Sequence, residues 1–285
     1  MKKILFGLML LLLAADFIFA GGEHEASATK FEKQSLNFGG SSTVLPIMEE
    51  AIEAYQKLHP EITISYEAPG SSAGIKGVMD GTYSLGGSSR KIKDPEAKAG
   101  VNKTTISLDG LAVVVNGKVT SNSLSLKQIA EIFAGKITNW KQVGGPDMKI
   151  ILINRDEASG TRATFQELVL DHVIGKGGKF DNAAIIVESN GDMVTKVGTT
   201  PYSIGYCGFG YIDRAKSSGA QTVTIDGVTP ETKNVYNHTY PLSRELFVVH
   251  MGSIKAGSVE EDFVKFLLSK DGQKIVKNVG YIPLP

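Results

Sequence analysis

The sequence predicts an α/β fold built on mostly parallel sheets. Short β-like runs alternate with stretches of helical periodicity along most of the chain. Many of its 32 glycines stand at the ends of apolar runs, where tight turns belong. Its 285 residues suffice for one large domain or for two lobes with separate cores.

The elements follow in order. Lys2 and Lys3, the apolar run from Ile4 to Ala15, and Ala20 before Gly21 read as a signal peptide over residues 1–20. Ile18 is larger than the usual small residue, which leaves the cut open. Asp16 interrupts the run, which falls short of the roughly 20 residues a membrane span needs. No cysteine lies nearby, which speaks against lipid attachment. Residues 21–34, polar and small, read as a flexible leader. "SLNF" is a strand, followed by "GGSST" and a helix from about Pro46 to Leu58. "ITISYEA" is a strand, followed by "PGSSAG" and a helix near Ile75 to Asp80. "LAVVVN" reads as a strand, "SLKQIAEIF" as a helix and "KIILINR" as a strand, with "SGT" opening a helix to about Leu170. "AIIVE" and "SIGYCGF" are later strands, with "NGDMVTKV" helical between them. "ELFVVH" is a late strand, and "VEEDFVKFLLS" and "KDGQKIVKNV" close the chain as helices.

No Pro-rich or Ser-rich linker splits the chain, so ordered strands are expected to carry it between lobes. Residues 111–121 and 239–249 are the candidates.

Charge and composition exclude several functions. Thirty basic residues balance thirty acidic ones, so nothing recommends a nucleic-acid partner. A near-neutral chain that binds an anion must use local geometry. Cys207 is the single cysteine, so an internal disulfide is excluded, and "SIGYCGFGY" reads as a buried strand with a small apolar residue at that position. There is no H-E-x-x-H and no Cys/His cluster, and "EHE" at 23–25 falls in the leader, so neither a metal nor a cofactor is expected. The aromatic residues read as core rather than as a sugar-stacking platform.

Three times a β-like run ends in a small, hydroxyl-rich turn that opens a helix. These are Gly40-Ser41-Ser42-Thr43, Gly70-Ser71-Ser72-Ala73-Gly74 and Ala158-Ser159-Gly160-Thr161. Taken singly, each reads as a helix N-cap. Taken together, they offer free N–H donors, rotatable hydroxyls and close backbone approach to an anion. Each charge-assisted hydrogen bond is worth about 1.5–3 kcal/mol, so several converging on one ligand reach micromolar binding. A fourth polar turn holds Gly86, Gly87, Ser88 and Ser89. Arg90 beside it is expected at the surface or hinge, because Lys91 and Lys93 make the run basic. "GSSAG" also fits G-x-S-x-G, with Ser72 as a would-be nucleophile and His172, His238 or His250 as partner. That serine-hydrolase reading explains neither the other turns nor Arg155.

"GGSSTVLP", "PGSSAGIKGVMDG", "RDEASGT", "ITNW" and "SIGYCGFGY", in this order and spacing, resemble segments of the phosphate-binding proteins of phosphate-specific ABC transporters. The resemblance runs from about residue 36 to the C-terminus. It implies a two-lobed type II periplasmic-binding-protein fold with the ligand cleft between lobes. Lobe one would take residues 35–115 and 246–285, and lobe two residues 116–245. The resemblance implies phosphate contacts from Ser42, Thr43, Val44 and Leu45 in the first turn, Ser71 in the second, and Ser89 in the fourth. It also implies that Arg155 pairs with phosphate oxygens, that Ser159, Gly160 and Thr161 donate at a helix start, and that Glu157 steadies Arg155. Arg162 is read as structural. Some members carry an aspartate where Ser89 stands, a carboxylate that accepts the phosphate proton and rejects sulfate. The expectation is therefore a non-catalytic, exported, monomeric receptor, periplasmic or extracellular. It would hand inorganic phosphate to ABC permease subunits. Sulfate, molybdate or tungstate are the alternative ligands.

Overall fold

The computed structural model describes residues 31–285. The expected signal, residues 1–20, and most of the expected leader lie outside the described residues. The end of that leader is ordered: Phe31 packs on the His59 ring at 5.5 Å and joins the edge of a core.

In chain order, β1 (Gln34–Gly40), α1 (Leu45–Leu58), β2 (Ile62–Glu67), α2 (Ser71–Asp80), β3 (Leu85–Ser88) and α3 (Asp94–Lys98) come first. The long β4 (Val101–Asn116) follows, then β5 (Ser123–Leu124), α4 (Leu126–Phe133) and β6 (Ile151–Arg155). Next come α5 (Gly160–Phe165), β7 (Ile185–Val187), α6 (Asn190–Thr199) and β8 (Ser203–Gly208). Then α7 (Ile212–Ser217), β9 (Ala220–Thr222), β10 (Thr224–Ile225) and α8 (Thr232–Tyr236) lead to β11 (Ser243–Met251), α9 (Val259–Leu268) and α10 (Lys270–Asn278).

Local sequence accounts for these helices. Pro46 fits the first turn of α1, where its missing N–H costs nothing. The spacing of Ile47, Met48, Ala51, Ile52 and Tyr55 then buries one face. Each large apolar side chain so buried stabilises by about 1.5–3 kcal/mol. Ser125 and Gln128 form a reciprocal capping box on α4. The helix begun by α5 continues as a wider π-turn over Gln166–Asp171. Among the described residues, no helix is long and apolar enough to cross a membrane.

Nine strands form one sheet, ordered β2-β1-β3-β11-β4-β8-β6-β7, with β9 also on β4. Its two ends are parallel: β1 with β2 and β3, and β6 with β7 and β8. Its middle is antiparallel: β11 with β3 and β4, and β4 with β8 and β9. The sheet is thus mixed, not mostly parallel. The physical reason is the crossing: β4 leaves one lobe and β11 returns, so they run in opposite directions.

The core is divided at the same place. Phe38, Ile47, Tyr55, Ile106, Leu246 and Phe263 belong to one cluster. Leu111–Val115, Phe133, Trp140, Phe165, Tyr206 and Leu242 belong to another. Along β4 the partner strand changes from β11 to β8 between Gly110 and Leu111. In that register Arg244 faces Asp109 and Ser243 faces Gly110.

Candidate functional site

All four hydroxyl-rich turns meet beside this crossing. They follow strands β1, β2, β3 and β6. Their close approach depends on glycine. A Cβ on Gly160 would collide with the Ser71 hydroxyl and come within 2.7 Å of the Ser89 hydroxyl. Gly70, at φ 103°, lies where a Cβ would sit 2.8 Å from the Ala158 carbonyl, which accepts the Ser72 N–H at 3.1 Å.

One side-chain string runs through the serines. The Ser41 hydroxyl donates to Ser89 Oγ at 2.9 Å, and Ser71 Oγ lies 3.3 Å from Ser89 Oγ. Ser71 Oγ also accepts the Ser89 N–H at 3.1 Å. A second string joins Arg155, Ser42 and Asn190. Arg155 Nη2 donates to Ser42 Oγ at 3.4 Å and to the Glu188 carbonyl at 2.7 Å. The Asn190 amide donates to Ser42 Oγ at 3.1 Å and to Thr43 Oγ1 at 2.9 Å. The third string pairs Thr43 Oγ1 with Thr161 Oγ1 at 2.8 Å, and Arg244 reaches both.

Among the expected site residues, Ser42, Thr43, Ser71, Ser89, Arg155, Gly160 and Thr161 therefore gather in one buried cluster. The other three, Val44, Leu45 and Ser159, belong to the same turns and also make local bonds. Ser159 Oγ accepts the Arg162 N–H at 3.1 Å and caps α5. The Val44 and Leu45 N–H groups both donate to the Ser41 carbonyl. Each of the three turns reads from sequence as a helix cap, yet α1 and α2 have no side-chain cap. Their hydroxyls are engaged across the cluster instead.

Arg155 has the most unusual environment. It is 1% exposed, and its Nε and Nη1 find no hydrogen-bond partner among the described residues. No carboxylate pairs with it there. Glu157, expected to steady it, is exposed and makes no ion pair with it, because the turn after β6 carries its side chain outward. Burial holds the Arg155 guanidinium below its ordinary value, and the nearby Arg244 pushes the same way. A buried cation in this state is stabilised by an anion.

Arg90 is not at the surface. It is 4% exposed, because its fork is taken by Glu96 at 2.9 and 2.7 Å and by the Lys91 carbonyl. It also donates to Ser72 Oγ at 3.2 Å. Ser72 Oγ accepts from Arg90 and bonds no histidine among the described residues. Arg162 lies 4.8 Å over the Phe180 ring, consistent with a structural role. Burial pushes the Cys207 thiol well above its usual range, as fits an inert core residue. No group of three or more metal-ligating side chains occurs among the described residues.

Sequence reasoning missed Asn190, Asp109 and Arg244. Asn190 opens α6 after the Ser189 cap, a further strand–turn–helix junction in "ESNGD". Asp109 is a lone acid within the long buried β4 and Arg244 a lone cation at the start of β11. A charge in such a strand is a signal that a partner exists, but not which one. Arg244 also lines a cleft of about 230 Å³ with Ser89, Thr164 and Glu167.

Residues 25–271 match the family model of a PBP superfamily domain. The chain is 36% identical to the phosphate-binding protein PstS of Bacillus subtilis, over all of this chain and 95% of that protein. It is 33% identical to PstS of Borreliella burgdorferi, covering 87% of this chain and 89% of that one. A Clostridium perfringens structure, described as a phosphate ABC transporter substrate-binding protein with bound phosphate, superposes with TM-score 0.81 at 34% identity. That match covers 88% of this chain and 100% of the other. A phosphate transport receptor from Vibrio cholerae gives TM-score 0.71 at 32% identity, covering 88% of this chain and 100% of that one.

Proposed function

The chain belongs to the PBP superfamily and, within it, to the PstS family, and from that premise we infer that it captures inorganic phosphate and delivers it to an ABC importer. The observation that carries the reading is Arg155, a buried guanidinium with two nitrogens unpartnered among the described residues and the Ser42 hydroxyl of the buried cluster in contact with it. Phosphate would take the free Arg155 donors together with the hydroxyls of Ser42, Ser71 and Thr161, with Thr43 holding Thr161 in place. One cation and several neutral donors would replace its water shell. The family is one of binding proteins, and we assign the chain no catalytic step.

We place lobe one at residues 35–115 with 246–285 and lobe two at 116–245. The separate cores support two lobes, but Leu111–Val115 pack with the lobe-two core, so on β4 the cores change over at Gly110/Leu111, ahead of residue 115. Closure would then bring Thr43, Ser71 and Ser89 of lobe one against Arg155 and Thr161 of lobe two. Lys2, Lys3 and the apolar run that follows them support export to the periplasm or the outside face. We take the working form to be a monomer that docks on permease subunits.

Ser89 can still receive a phosphate proton. Its oxygen accepts from Ser41 and, when it donates to Ser71, keeps one lone pair for the ligand. The hypothesis is a preference for phosphate over sulfate. A thermal-shift screen with phosphate, arsenate, sulfate and molybdate tests it. A strong shift with phosphate and a weak one with sulfate is expected; equal shifts would sink the preference.

A further inference from the structure

Arg244 touches both lobes from the strand that joins them. Its Nε and Nη2 grip Asp109 Oδ2 at 2.8 and 2.7 Å, across the β4–β11 register. Asp109 is fully buried, and its other oxygen accepts the Phe209 N–H at 2.9 Å. The guanidinium is thus fixed to the crossing. From there Nη1 donates to the Ser89 carbonyl and to Thr161 Oγ1, both at 3.1 Å, and Nη2 reaches Thr43 Oγ1 at 3.3 Å.

Counting lone pairs gives this contact a consequence. A hydroxyl oxygen accepts two hydrogen bonds and donates one. The Asn190 amide is oriented by the Gly208 N–H on its oxygen, so its Nδ2 donates to Thr43 Oγ1 at 2.9 Å. Arg244 supplies the second bond to that oxygen. Thr43 must therefore donate across the 2.8 Å contact to Thr161. Thr161 Oγ1 then accepts from Thr43 and from Arg244, which fills both its lone pairs. Its own proton has no acceptor among the described residues and is left for a ligand. Without Arg244 the Thr43–Thr161 bond could reverse, and Thr161 would present a lone pair to the anion.

We infer that Arg244, held by Asp109, is a positioning residue that forces the Thr161 hydroxyl to donate into the anion pocket. The inference rests on the phosphate reading above for its ligand, but not for its hydrogen-bond logic. It also makes the donor conditional on closure, since Arg244 can orient both threonines only while the lobes hold them together.

The test is a double-mutant cycle read by calorimetric titration of the mature protein with phosphate. Thr161→Val in the wild-type background is expected to weaken binding roughly tenfold to a hundredfold, the worth of one hydrogen bond to a charged group. In an Arg244→Gln background the same change is expected to cost less than about threefold, because the donor is no longer enforced. Arg244→Lys keeps the charge but loses the fork, and should behave like Arg244→Gln. Equal Thr161→Val costs in all backgrounds would overturn the inference and leave Arg244 a purely structural residue. Neutron diffraction of wild-type crystals exchanged into D2O supplies a second reading that needs no variant. A deuteron bonded to Thr43 on the Thr43–Thr161 line supports the inference, and one bonded to Thr161 there overturns it. Wild-type protein that binds sulfate but not phosphate would instead contradict the ligand reading, and the same cycle is then run with sulfate.

Discussion

Arg90 and Arg155 are both almost fully buried, yet the chain treats them in opposite ways. Arg90 has both fork nitrogens occupied by Glu96 and the Lys91 carbonyl, all within one stretch of chain, and among the described residues only its Nε lacks a partner. Arg155 has one nitrogen satisfied, by the Glu188 carbonyl and Ser42, and two left over. A buried cation that brings its own carboxylate is finished as a structural element. One that does not is held ready for an anion from outside, and the surrounding fold carries the cost of keeping it dry. Arg244 stands between the two cases: Asp109 balances its charge, and its remaining donors go to neutral oxygens.

This contrast can be broken most sharply at Arg155. Arg155→Ala is expected to weaken phosphate binding at least a hundredfold, about 3 kcal/mol or more, by equilibrium dialysis. Its anion-free thermal stability should fall less than that of Arg90→Ala; the reverse order would erase the distinction. Arg90→Ala strands the Glu96 carboxylate and should cost about 3 kcal/mol in urea unfolding, with phosphate affinity nearly unchanged.

Acid sharpens the same comparison. Burial raises the Glu96 pKa, but the Arg90 hydrogen bonds and charge outweigh it and leave the carboxyl below its ordinary value. A lowered carboxylate contributes stability that is full above its unfolded pKa and is lost as pH falls through the folded one. Glu96→Gln should therefore flatten the loss of stability at pH values below its ordinary 4.5. An unchanged acid limb would remove the pair from the account. Asn190→Ala should cost about 1–2 kcal/mol of anion affinity, since it frees Ser42 and Thr43 to rotate. The smallest effect is expected at Lys91–Glu167, an exposed pair 2.6 Å apart. Glu167→Gln should shift affinity by about 0.5 kcal/mol or less, and less still in high salt.

The difference between local and distant information explains what the sequence revealed. Each strand–turn–helix junction is written in a few adjacent residues, so Ser42, Thr43, Ser71 and Thr161 were legible as a set. Asp109 and Arg244 are 135 residues apart and meet only through the β4–β11 register, which neither segment encodes alone. The same limit explains the mixed sheet, since strand direction at the crossing depends on where the chain returns. The composition of "RKIKD" suggests solvent for Arg90, while Glu96, six residues on, draws it inward. Glu157 is exposed although it lies two residues from Arg155, because nearness in sequence does not fix the direction of a side chain on a turn.

The central claim is that Arg155 and the hydroxyls beside it hold a tetrahedral oxyanion. Anomalous diffraction from crystals grown with arsenate tests it most directly. The account predicts one strong arsenic peak within hydrogen-bonding reach of Arg155 and of the Thr161 hydroxyl. A peak elsewhere, with Arg155 still unpaired, would contradict it.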